Sequence, residues 1–95
     1  MSSTKEYKDF IIDQLSSKNV TYRPMMGEYL LYYSGILFGG IYDDRLLVKK
    51  TESNKKYNMQ ESIPYEGAKA MYLVSNVDNK TVLENIVIDT MKDLK

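Results

Sequence analysis

The chain has 95 residues, the length of one small domain, with 13 basic and 13 acidic residues, no His, no Cys and no Trp. Zero net charge argues against whole-molecule attraction to nucleic acid or an anionic membrane. The missing residue types exclude disulfide frames, thiol nucleophiles, zinc–sulfur sites, Fe–S ligation and imidazole-based catalytic triads. Any metal would need oxygen ligands.

The opening residues are polar and mixed in charge, with no apolar signal-peptide core. Residues 3–16 read as a helix, because Tyr7, Phe10, Ile11 and Leu15 form one apolar stripe. Ser3 and Glu6 have capping-box spacing at its start. Residues 20–25 read as a strand limited by Pro24, and Gly27 allows a turn. Residues 28–33, 36–42 and 45–50 are three further strands. The Ser34-Gly35 and Asp43-Asp44 turns join them into an antiparallel meander. Residues 51–62 are polar and read as a loop with one helical turn near 53–58. Pro64 and Gly67 punctuate the stretch after it. Residues 69–75 read as a last strand and 78–94 as a second long helix, with Asp78 as N-cap. The order predicts an α+β two-layer sandwich, with both terminal helices on one face of an antiparallel sheet. The longest apolar run, residues 29–42, is too short and too glycine-interrupted to span a bilayer. The expectation is a cytoplasmic, single-domain protein with no membrane partner.

The run from Arg23 to Lys49 carries a pattern of its own. Met26-Gly27, Tyr32, Gly35, Phe38, Asp43-Asp44, Leu46 and Lys49 occur in an order and spacing that resemble the N-terminal domain of the TfoX (Sxy) competence-regulator family. Ile63-Pro64-Tyr65 and Met71-Tyr72 are similar to that family's second block. Met26 stands where relatives often carry Phe, and Glu28 where small residues are common. The resemblance implies a secretion-chaperone-like α/β sandwich. It also implies a role in transcription and competence regulation, exercised alongside a cyclic-AMP receptor transcription factor. Full-length relatives carry a second helix-hairpin-helix domain that would lie beyond this chain.

Four features are candidates for function. Arg45, Lys49, Lys50, Lys55 and Lys56 face only Glu52, so residues 45–60 carry +4 while the rest, with eight basic and twelve acidic residues, carries −4. Such a segment could meet nucleic acid, with Tyr57 for stacking, or could be a solvated edge. Tyr29, Leu31 and Tyr33 alternate with Leu30 and Tyr32, and Ile36, Phe38 and Tyr42 oppose Leu37 and Ile41. Two helices cover one face, which leaves a tyrosine-bearing surface for a protein partner or a homodimer. Gly39-Gly40 lacks phosphate-loop spacing and reads as a bulge or a site of tight packing. Asp43-Asp44 reads as a turn and not a cation loop. No catalytic constellation and no cofactor site emerges. The sequence is that of a binding module and not an enzyme.

Overall fold

The computed structural model describes residues 3–94. The predicted α+β sandwich is present. Helix α1 (Lys5–Gln14) leads into strands β1 (Val20–Met25), β2 (Glu28–Tyr33), β3 (Ile36–Tyr42) and β4 (Arg45–Val48). A 3-10 turn at Lys55–Tyr57, strands β5 (Gln60–Ser62) and β6 (Met71–Val74) and helix α2 (Lys80–Lys92) complete the chain. The six strands form one antiparallel sheet in the order β1-β2-β3-β4-β6-β5.

The meander follows from its turns. Met26-Gly27, Ser34-Gly35 and Asp43-Asp44 all hold positive φ at both central positions, the backbone that matches the twist of two hairpin strands. Ile11 and Leu15, from α1 and its C-cap, with Leu83, Ile86, Val87 and Met91 of α2, pack on Leu31, Phe38, Ile41, Leu46, Val48, Tyr72 and Val74. Among the described residues, no helix lies on the opposite face of the sheet.

Several expectations are corrected. Thr4, not Ser3, caps α1: its hydroxyl accepts from the Tyr7 N–H at 3.1 Å. Ser3 instead donates to Glu28 at 2.6 Å and accepts from the Asp44 N–H at 3.0 Å, pinning the entry of the helix to the sheet. Asn79, not Asp78, caps α2, accepting from the Val82 N–H at 3.1 Å. Residues 60–62 form strand β5 where the sequence predicts loop. These three polar residues lack any alternation, and pairing with β6 alone places them in the sheet.

The alternation in β3 is also corrected. Leu31 pairs with Gly39 while Tyr32 pairs with Leu37, so Phe38 is an extra residue, a β-bulge. The bulge shifts side-chain parity by one. Ile36, Phe38 and Ile41 all belong to the core, whereas Leu37 and Tyr42 share the helix-free face. Gly39 makes this geometry accessible. A Cβ there would sit 3.0 Å from the Val48 Cα and would overlap the Leu47 carbonyl oxygen. A Cβ on Gly40 would sit 2.6 Å from the Tyr42 ring and 2.8 Å from the Tyr29 oxygen.

Candidate protein-docking face

Leu31 is fully buried under the helices, so its expected place on a partner surface is corrected: its side chain points into the core. Tyr29 and Tyr33 share that face and pack, half-buried, against the same core. The reason is register. Leu31 pairs with Tyr22 on one side and Gly39 on the other, in line with Val48, and this row lies under α1 and α2.

The basic stretch does not remain one patch. Arg45 is spent internally: its guanidinium donates to the Ser62 hydroxyl and to the carbonyls of Ile63 and Pro64. Lys55 pairs with Glu52 at 2.8 Å, Lys56 with Asp89 at 3.1 Å and Lys50 with Glu61 at 3.2 Å. Tyr57 donates its hydroxyl to Asp89, so its polar end is occupied. The Asp43-Asp44 pair is structural too: an Asp44 carboxylate oxygen accepts the Thr4 N–H at 2.8 Å.

The helix-free face is where open apolar surface gathers. The segment of residues 63–70 joins β5 to β6 and folds back over this face. Arg45 holds it there through the carbonyls of Ile63 and Pro64, and the Tyr65 ring packs at a tilt on Tyr42, centroids 6.1 Å apart. Tyr42 is thereby buried although no helix covers it. Burial raises the pKa of its hydroxyl, with the neighbouring Tyr65 and Glu28 adding to the effect.

Two depressions flank the Tyr42–Tyr65 stack. One, of about 400 Å³, lies between Met25, Met26, Glu28, Tyr42 and Tyr65. The other is a groove of about 670 Å³, with Leu37, Tyr42 and Met71 on the sheet side and Pro64, Tyr65 and Ala68 on the loop side. Lys49 and Lys69 also line it. Met26 is 97% exposed, Tyr65 58% and Ile63 55%. Met26 moreover adopts φ +50°, a left-handed conformation that suits Asn, Asp or Gly better than a long side chain.

Sequence reasoning reaches Lys49 but misses Met26, Tyr65 and Lys69 as a group. Met26 is visible as a departure from the residue common in relatives. Tyr65 and Lys69 are brought to the groove only by the return of the loop. Among the described residues, no cluster of three or more Asp or Glu is placed to hold a metal ion, and no helix is long and apolar enough to cross a membrane.

A helix-backed antiparallel sheet with one helix-free face is the architecture of a small two-layer α+β domain. The family model for the TfoX N-terminal domain matches residues 13–84, and the chain belongs to that family. It is also similar to a Spirochaeta aurantia protein described as an uncharacterized 12.7 kDa protein in the trpE 5′ region. The two are 31% identical over 80 residues, which cover 81% of this chain and 70% of that relative. No solved structure matches the chain.

Proposed function

We propose that the protein is a non-enzymatic regulatory module that acts by docking another protein on the helix-free face of its sheet. The observation that carries this reading is the pairing of Met26 and Tyr65, both largely exposed, around the cleft beside Tyr42. A side chain that is apolar, exposed and held in an unfavourable backbone conformation adds little burial to offset its strain. It suits a surface that becomes buried on association. Regulation of transcription, the role the family resemblance implies, fits a module that works by contact.

Self-association through the same face is the second reading, favoured by the same exposed apolar residues. A phosphate-binding role for residues 45–60 is less favoured, because Arg45, Lys50, Lys55 and Lys56 already have partners.

The test replaces Met26 by Asn and Tyr65 by Ser and compares that double variant with Phe10→Ser on the helix layer. Sedimentation equilibrium and cross-linking mass spectrometry of cell extracts are the measurements. The expected result is loss of one reproducible cross-linked partner, or of a species heavier than 11.0 kDa, in the double variant alone. Equal behaviour of both variants would overturn the reading.

A further inference from the structure

We infer that the larger groove on the helix-free face is a selective site for an acidic, apolar-flanked peptide segment of the partner. The inference rests on the docking role proposed above and assigns the chemistry of the docked segment.

The charge lining the groove is of one sign. Lys49, Lys50 and Lys69 line it, and no acidic residue does. This is not a consequence of composition, since the chain carries as many acidic as basic residues. Several lysines elsewhere are paired locally: Lys5 and Lys8 share Asp9, Lys55 meets Glu52, and Lys56 and Lys92 share Asp89, while Lys18 and Lys80, outside the groove, are unpaired among the described residues. Lys50, at the edge of the groove, reaches Glu61. Lys49 and Lys69 have no ion pair among the described residues. An apolar cleft whose two available charges share one sign favours an occupant of the opposite sign and disfavours a neutral or basic one.

The positions of these groups are fixed by the fold. The Lys49 N–H donates to the Phe38 carbonyl at 2.9 Å, within the bulge. Its own carbonyl accepts from the Asn54 side-chain amide at 2.8 Å, and Asn54 is fully buried against α2. The backbone of Lys49 is therefore held from both strand and helix layers. Lys69 stands across the groove on the loop wall, and Leu37, Tyr42, Met71 and Ala68 provide apolar contact between them. A volume of about 670 Å³ is that of a few side chains, and the groove is open to solvent. An extended segment carrying Asp or Glu next to a Leu, Met or aromatic residue matches both the charge and the floor.

A displayed library of random twelve-residue peptides, selected on the intact protein, tests this. The expected sequences are net negative with a large apolar residue beside the acids. Their affinity falls as salt rises. Lys49→Gln with Lys69→Gln weakens them about tenfold, while the melting temperature stays that of the parent. Restoring positive charge as Lys49→Arg with Lys69→Arg recovers binding, which a purely structural effect would not do. Selection of neutral or basic peptides that perturb Met26 and Tyr65 resonances would overturn the acidic assignment and leave the docking face standing. No selected peptide, or peptides that perturb neither depression, would overturn both. Displacement of selected peptides by short single-stranded DNA at equal charge concentration would overturn the peptide assignment in favour of nucleic acid.

Discussion

Gly39 and Met26 set the limits of what single side chains do here. At Gly39 the cost of change is steric. A methyl group would overlap the Leu47 carbonyl, and backbone cannot rotate away as a flexible side chain can. Gly39→Ala is expected to lose about 1–3 kcal/mol, read as a lowered urea midpoint. Gly35→Asn has open space around it, so its cost is the backbone strain of φ +84° alone, and it should lower the midpoint less than Gly39→Ala does. An unchanged midpoint for Gly39→Ala would mean that the bulge is not close-packed. At Met26 the sign reverses. Asn tolerates the left-handed backbone, so Met26→Asn should stabilise the fold by about 0.5–1 kcal/mol while weakening partner binding. A variant that is more stable and less functional is the signature of a residue retained for recognition.

The elements are joined by polar clamps as much as by the core. Residues 51–58 have little apolar content, yet they are pinned to α2. Asn54 donates to Thr90 at 2.9 Å and accepts the Thr51 N–H at 3.0 Å. Asp89 gathers Lys92, the Tyr57 hydroxyl and Lys56. Lys92 foremost, then Tyr57 and Lys56, hold the Asp89 carboxyl well below its ordinary 3.8. In the unfolded chain the carboxylate takes up a proton at its ordinary pKa, before the folded chain does. The clamp's contribution is therefore complete at neutral pH and is lost as pH falls below about 4. Thermal melts from neutral to acid pH should show this loss, and Asp89→Asn should lower the neutral-pH melting temperature and flatten the acid slope. An acid slope unchanged in that variant would assign the loss to other carboxylates. The Tyr57 hydroxyl, pushed up to about 12 by burial first and by Asp89 next, gives the mirror case. Its contribution holds below about pH 10 and is lost as pH rises.

At the scale of the whole molecule, the meander and both helices are legible in the sequence because their signals are local. Hairpin turns sit at fixed offsets, and apolar stripes repeat along α1 and α2. A bulge is legible at Gly39-Gly40, but its consequence for Tyr42 and Ile41 is not, since parity depends on which residue is skipped. Strand β5 is not legible, because Gln60–Ser62 owes its conformation to β6 alone. The open face is legible in kind and misplaced in detail: Tyr29, Leu31 and Tyr33 lie toward the helices. The same asymmetry predicts dynamics. Amides of residues 60–62, paired on one side only, should exchange with solvent well before those of residues 38–42 and 46–48, which lie inside the sheet. Hydrogen-exchange mass spectrometry that found the two regions equally protected would contradict the edge position of β5.

The two walls of the large groove answer to different constraints. Its floor is built by β3, β4 and β6, whose reverse sides are the core, so a change there is felt by the helices. Its outer wall is a hairpin connection, residues 63–70, anchored at its start by Arg45. Such connections tolerate changes of length and sequence at little cost to stability. The fold thus separates what must be kept from what can be varied. A change in the loop alters the shape of the groove and the Lys69 charge, while the sandwich beneath stays the same. If the groove docks a partner as proposed, grafting residues 63–70 from a relative transfers partner preference without refolding the recipient.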